Sequence, residues 1–247
     1  MRALVFDVGN TAAKYGYFEN NELREVGKVL LDNALPELVQ RLLPEHAVVS
    51  SVVEPTAIWA EALRREVGRK VLEFASATTP LPITNAYTTP TTLGADRLAA
   101  AVGAAWLRPG QDTLIVDAGT ALKCDWLEGG HTFRGGSIAP GLRMRFQALH
   151  TFTGRLPLVE LPVAATVDIP LTGTDTSSAI RSGVLNGAVA EVNGLIDSYR
   201  QQSPNLGILL AGGDAGFFQP RLKGPIFVVP ELVLIGLYRI LVHNVEI

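Results

Sequence analysis

Asp7-Val8-Gly9-Asn10-Thr11-Ala12-Ala13-Lys14 is the stretch that decides how the chain is read. It follows Ala3-Leu4-Val5-Phe6, a short apolar run with the character of a buried strand, so the Asp7 carboxylate sits where a strand ends. Gly9 lets the backbone turn sharply and approach a ligand closely. Asn10 and Thr11 supply small hydrogen-bonding groups, and exposed N–H groups in such a turn cradle phosphate. Asp7 is placed to hold a hydrated divalent cation rather than to touch phosphate, because two anions repel. Lys14, seven residues on, neutralises phosphate charge. An Asp-Gly-Asn turn after a strand is common chemistry when it stands alone.

It does not stand alone. Leu114-Ile115-Val116 leads into Asp117-Ala118-Gly119-Thr120-Ala121, with the same order of apolar strand, Asp, small residue, Gly and Thr. The two Asp residues lie 110 positions apart in a chain of 247, so each opens one half. Internal repetition of this kind predicts two similar lobes, 1–110 and 111–247, each presenting an Asp-x-Gly turn to a shared cleft.

Composition bounds the function classes. The hydrophobic content of 47% with 18% charged residues is that of an ordinary globular protein with a sizeable core. A net charge of −3 gives no reason to expect nucleic acid or an anionic membrane as partner. The single cysteine, Cys124, excludes an internal disulfide and lies in an apolar stretch, where packing is its expected role. No two of His46, His131, His150 and His243 are spaced as a metal pair. The chain enters its first strand without a charged leader, and no apolar run reaches membrane-spanning length, so a cytoplasmic protein is expected.

Along the first half, strands are expected at 14–18, 26–31, 47–53 and 71–74, and helices at 33–43 and 58–67, an alternation that argues for an α/β fold with a mixed sheet. Residues 78–93 carry three prolines and little periodicity, as a long loop does. That loop ends at Gly94-Ala95-Asp96-Arg97, which enters a helix with Leu98, Val102, Ala105 and Trp106 on one face. In the first turn a carboxylate also suits the helix dipole, so Asp96 taken alone could be a capping group. In the second half, strands are expected at 113–116, 122–127, 208–210 and 226–229. Gly135-Gly136-Ser137-Ile138-Ala139-Pro140-Gly141 reads as a glycine loop ahead of a helix at 142–149. Thr172-Gly173-Thr174-Asp175-Thr176 caps the longest helix, and residues 232–242 form a closing one.

The Asp-x-Gly turns and Ala211-Gly212-Gly213-Asp214-Ala215 all follow strands, where α/β sheets bind ligands. There is no Gly-x-x-x-x-Gly-Lys-Ser/Thr loop, no protein-kinase signature set and no Gly-x-Ser-x-Gly elbow. Taken in order, these motifs resemble those of type III pantothenate kinase, within the superfamily of acetate kinase, hexokinase and actin. The residues that carry the resemblance are Asp7 to Lys14, Tyr87 with Gly94-Ala95-Asp96-Arg97, Asp117 to Ala121 with Asp125, the glycine loop 135–141, Thr176 to Gly183, and Gly212 to Ala215.

The resemblance implies two similar lobes of mixed sheet flanked by helices, in the ribonuclease H-like, actin-like ATPase architecture. It implies that Asp7, Val8, Gly9, Asn10, Thr11, Ala12, Ala13, Lys14 and Thr120 contact ATP. It further implies that Asp96 is the general base taking the proton of the pantothenate hydroxyl, with Tyr87, Gly94, Ala95, Arg97 and Thr176 lining the pantothenate site. Mg²⁺ would accompany ATP, with Asp7 holding it through water, and Asp117 would belong to a site for a monovalent cation, K⁺ or NH₄⁺. The family is homodimeric, with the substrate pocket completed at the subunit interface. One departure bears on the cation: Ala121-Leu122-Lys123-Cys124 stands where the family carries a Thr-rich stretch.

Physical chemistry is consistent with these roles. Phosphoryl transfer needs positioning and charge neutralisation more than covalent chemistry. A carboxylate within hydrogen-bond reach of the attacking hydroxyl is a suitable base, and the Arg97 guanidinium suits a carboxylate in fork geometry.

Overall fold

The computed structural model describes residues 1–8, 13–30, 34–51, 56–162 and 168–246. The first turn, Gly9 to Ala12, and the end of the strand expected at 47–53 lie outside them. The chain divides into two compact units. Unit 1 comprises Met1–Gly110, Gly130–Arg134 and Glu231–Ile247; unit 2 comprises Gln111–Gly129 and Gly135–Pro230.

Unit 1 is built on a five-stranded sheet of β1 (Arg2–Val8), β2 (Ala13–Glu19), β3 (Glu22–Val29), β4 (His46–Ser51) and β5 (Val71–Glu73), in the order β3-β2-β1-β4-β5. β1 pairs antiparallel with β2 and parallel with β4. Ala3 to Phe6 are fully buried, as expected of a continuous apolar run in a central strand. Helices α1 (Ala34–Leu42) and α2 (Thr56–Glu66) place Leu35, Leu38, Val39, Trp59 and Leu63 in the same core as Phe6 and Val49. The expected loop 78–93 holds a two-residue strand, β6 (Thr84–Asn85), and a 3₁₀ turn at Pro90–Thr92.

Helix α3 (Ala95–Leu107) and the closing helix α7 (Leu232–Glu246) both belong to unit 1. The expected second lobe, 111–247, includes the closing helix, whereas the contacts of the chain group Glu231–Ile247 with unit 1. The two helices pack through glycines: a methyl on Gly103 would fall 2.5 Å from the Leu232 carbonyl oxygen, and one on Gly236 would strike the Ala99 carbonyl. This close approach buries α3 from Arg97 to Ala104. Trp106, expected on the buried face, is instead 54% exposed, with the Arg239 guanidinium 3.2 Å from its ring centroid.

Unit 2 carries the strands β7 (Thr113–Ala118), β8 (Ala121–Glu128), β10 (Gly207–Ala211) and β11 (Ile226–Val228), with β9 (Thr132–Pro140) beside β8 in the order β11-β10-β7-β8-β9. The first residues of β9 fall in unit 1, where they pair with β6. β7, β10 and β11 run parallel, and β7 and β8 form an antiparallel hairpin. The stretch 135–141, read as a loop, is strand through Pro140. The glycines make this possible: a methyl on Gly136 would sit 2.7 Å from the Asp125 Cα, so only a bare backbone lies this close to β8. Helix α4 (Leu142–Thr151) follows directly, while the short helix α6 (Ala215–Phe218) follows β10.

The longest helix, α5 (Thr176–Gln202), starts from a capping box in which Asp175 accepts a hydrogen bond from the Ser178 N–H. Its stripe Ile180, Val184, Ala188, Val192 and Ile196 is consumed by the core of unit 2. Among the described residues no helix is long and apolar enough to cross a membrane.

Candidate active site

In unit 1, Asp7 is the penultimate residue of β1. Its cross-strand partner on β2 is Lys14, and its neighbour on β4 is Ser50. The Ser50 hydroxyl is fully buried, with no hydrogen-bond partner among the described residues. The Asp7 carboxylate is an oxygen donor of the kind a hard divalent cation takes.

The second group in unit 1 forms at the start of α3. Gly94 is the N-cap, and the Asp96 carboxylate lies in the first turn, accepting a hydrogen bond of 2.9 Å from the Arg97 N–H. The Asp96 oxygen also lies against Gly94, where a methyl would be 2.7 Å away. Arg97 is 5% exposed, which discounts a surface ion pair as its role. Its guanidinium lies 5.4 Å from the Tyr87 ring centroid and 5.9 Å from that of Phe133. Tyr87 and Phe133 are themselves in tilted contact at 6.2 Å. The structure therefore brings together Tyr87, Gly94, Asp96 and Arg97, as the sequence expects. It adds Phe133, fully buried at the start of β9, which no spacing signal could have linked to Arg97 and Tyr87, 36 and 46 positions earlier.

In unit 2 three glycine-bearing segments converge beyond the carboxyl ends of β7 and β10. Asp117 and Ala118 end β7, and Gly119-Thr120 makes the turn into β8. Gly141, the N-cap of α4, donates to the Thr120 carbonyl at 3.1 Å, and the Asp214 N–H donates to the Ala118 carbonyl at 2.9 Å. Gly212 adopts a φ of +91°, which favours glycine, and its Cα lies so near Asp117 that a methyl would be 2.6 Å from Asp117 Oδ1. Between these segments is a pocket of about 400 Å³ lined by Gly119, Thr120, Arg143, Met144, Gly213 and Asp214. Burial raises the proton affinity of Asp214, and the Arg143 charge partly offsets it. Glycine-rich turns, exposed backbone and an arginine at the carboxyl end of parallel strands suit the phosphates and ribose of a nucleotide. Arg143 and Met144 had no signal of their own in the sequence beyond lying just after the third glycine of the 135–141 run.

The Asp117 carboxylate, the expected cation ligand, is paired with the Lys123 ammonium at 2.6 Å. The register explains the pair: Asp117 lies directly opposite Lys123 across the hairpin, as Asp7 lies opposite Lys14 in unit 1. The internal repeat therefore extends to a lysine facing each aspartate, which the sequence concealed because the second turn is one residue shorter.

Thr176, the remaining expected substrate contact, is exposed at the first position of α5. It lines a separate, largely apolar pocket of about 830 Å³ with Leu149, Phe152, Ile180 and Val184, all within unit 2.

Comparison with known proteins bears directly on these features. The chain matches the fold of a ROK hexokinase from Thermus thermophilus (TM-score 0.57, 16% identity, 100% of this chain and 99% of that one). It matches that of a protein described as a Baf family transcriptional activator from Campylobacter jejuni (TM-score 0.64, 18% identity, 99% and 100%). At these identities the likeness is one of fold alone. The sequence is more specific: it is 41% identical over 246 residues to a type III pantothenate kinase from Phocaeicola vulgatus, covering 98% of both chains. The family profile described as type III pantothenate kinase matches residues 3–198, a span that contains both Asp-x-Gly turns and the Tyr87–Arg97 cluster. On these grounds the chain belongs to the type III pantothenate kinase family.

Proposed function

We propose that this chain transfers the γ-phosphoryl group of ATP to the hydroxyl of pantothenate, giving 4′-phosphopantothenate, the first step of coenzyme A biosynthesis. The observation that carries the reading is the presence of Asp96 at the start of α3, next to Arg97, which lies against the Tyr87 and Phe133 rings, in a chain of this family.

Asp96 acts as general base, accepting the hydroxyl proton as the oxygen attacks phosphorus in line. Arg97 recognises the pantothenate carboxylate through its fork of N–H donors, held in place by the two rings beneath it. Tyr87, Gly94 and Ala95 supply the remaining contacts to pantothenate in unit 1, and Thr176, in its own pocket of unit 2, is not grouped with them. The stretch from Asp7 to Lys14, with Thr120, binds ATP, and Arg143 adds a positive charge to the pocket at Thr120. Mg²⁺ carried with ATP offsets the negative charge of the phosphates. Asp7, at the end of β1, would hold it through water, in keeping with its preference for oxygen. A diffusible monovalent cation does not fit at Asp117, whose carboxylate already holds an ammonium of the same chain.

A homodimer is part of the reading. Phe152 and Leu171 are 85% and 84% exposed on unit 2, large apolar side chains suited to a subunit interface. The reaction takes place in the cytoplasm, where ATP and coenzyme A synthesis are found.

The direct test is mass-spectrometric detection of 4′-phosphopantothenate. The wild-type chain forms it from ATP and pantothenate. Asp96→Asn loses about 10² to 10⁴ in kcat while binding ATP normally. Near-normal turnover by that variant removes Asp96 as the base.

A further inference from the structure

Lys123–Asp117 is among the least exposed ion pairs of the described residues. Most of the others lie at the surface, as with Arg65–Glu61, whose side chains are about 70% exposed. Lys123 and Asp117 are 14% and 20% exposed. The pair stands at the last residues of β7 and the first of β8, immediately flanking the Gly119-Thr120 turn that lines the candidate nucleotide pocket. The bare Cα of Gly212 leaves the room that the Asp117 carboxylate occupies, since a methyl there would stand 2.6 Å from Oδ1. Lys123 is also the register equivalent of Lys14, the lysine that follows the first Asp-x-Gly turn.

These facts assign a function to the pair, one that rests on the proposed kinase reading. We infer that the Lys123 ammonium, held by Asp117, is the resident monovalent cation of the second phosphate turn, so that the enzyme needs no potassium or ammonium ion. A lysine ammonium is a compact point charge of the same sign and magnitude as either ion. Tethered opposite Asp117, it is present at every turnover without being recruited from solution. It also takes the carboxylate that a diffusible cation would need as ligand and repels any second cation at that position. Lys123 is thus a positioning residue that offsets phosphate charge near Thr120, and Asp117 is its anchor.

The test exchanges the cation while ionic strength is held constant. The full chain is assayed with MgATP and pantothenate in the chlorides of potassium, ammonium, sodium and tetramethylammonium, and MgATP affinity is measured in the same salts. Wild type is expected to keep its kcat/KM and its ATP affinity within about twofold across all four. Lys123→Met, nearly isosteric but uncharged, is expected to lose about tenfold or more in tetramethylammonium and to recover in potassium or ammonium; Lys123→Arg keeps the cation-independent behaviour. A wild-type enzyme that slows about tenfold in tetramethylammonium and recovers in potassium overturns the inference, and this arm needs no variant to fold. So does a Lys123→Met variant with wild-type kinetics in every salt. If pantothenate is not phosphorylated in any salt, the kinase reading fails. The binding arm still decides the inference: an ATP affinity of wild type that rises specifically with potassium overturns it, and an indifferent one supports it.

Discussion

Gly141→Ala isolates how the second phosphate turn is held. Gly141 has φ −68° and ψ 173°, a conformation alanine adopts freely, so the substitution introduces no backbone strain. Its effect comes from contact alone. The new methyl would overlap the carbonyl oxygens of Gly119 and Thr120 and would stand 2.9 Å from the Thr120 carbonyl carbon. The worst overlap, 2.3 Å from the Gly119 oxygen, falls about 1 Å short of ordinary contact, so the Gly119-Thr120 backbone, or the start of α4, must retreat by roughly 1 Å. These are backbone atoms and cannot rotate aside as a side chain would. A displacement near 1 Å in a positioning element costs on the order of 10² in rate, so a loss of about 10- to 100-fold in kcat is expected. Forcing an extra methyl into packed structure also destabilises by about 1–3 kcal/mol. The assay is steady-state phosphorylation of pantothenate well below the melting temperature, with ATP and pantothenate varied separately. The defect should appear in kcat and in KM for ATP, leaving KM for pantothenate near wild type. Gly194→Ala is the control: a methyl there meets nothing within 4 Å, and the helix gains about 0.5–1 kcal/mol with no change in rate. A Gly141→Ala enzyme with wild-type kinetics for ATP refutes the assignment of this packed turn to the nucleotide phosphates.

Three further outcomes follow from other parts of the structure. Arg97→Lys keeps the charge but loses the planar fork over Tyr87 and Phe133, and should raise KM for pantothenate about 10- to 100-fold with a smaller effect on kcat; an unchanged KM removes Arg97 as the carboxylate ligand. Burial, reinforced by the neighbouring Asp125 charge, pushes the Cys124 thiol up to about 12, so the native protein at pH 8 should resist Ellman's reagent until denatured, and rapid stoichiometric reaction contradicts the packing described. Glu25 is held at about 2, below its ordinary 4.5, by hydrogen bonds from Arg41 and then Tyr15. Because the folded value lies below the unfolded one, this pair stabilises the fold above pH 4.5 and ceases to do so as pH falls towards 2. The difference in melting temperature between wild type and Glu25→Gln should therefore shrink across that window, and a constant difference down to pH 2 argues against the pair.

The apolar runs at Ala3–Phe6 and Leu114–Val116 made the central strands legible because a strand buried on both faces needs no polar alternation. The second Asp-x-Gly turn was legible because chemistry and backbone requirements coincide in a few adjacent residues. Contacts between distant segments were not legible. Phe133 joins Arg97 only because β9 passes beside Tyr87, and no local pattern records that meeting. Gly136 looked like loop punctuation, yet it serves close strand approach, and the two uses of glycine are identical in sequence. Trp106 shared a helical period with Leu98 and Val102, which are buried, but it stands in the last turn of α3, past the Gly103–Gly236 crossing and past Ala104, where the burial ends. Lys123 was visible as a departure from the family pattern; its meaning depended on hairpin register, which one residue more or less in the turn would have changed.

A pantothenate kinase releases ADP only when pantothenate accepts the phosphoryl group. The most direct measurement couples ADP release to a spectroscopic signal in the presence of Mg²⁺, with pantothenate, without it, and with a pantothenate analogue lacking the terminal hydroxyl. ADP release that requires pantothenate, and that stops with the deoxy analogue, is the predicted result. Equal ADP release in all three mixtures, or none in any of them while ATP still binds, contradicts the account.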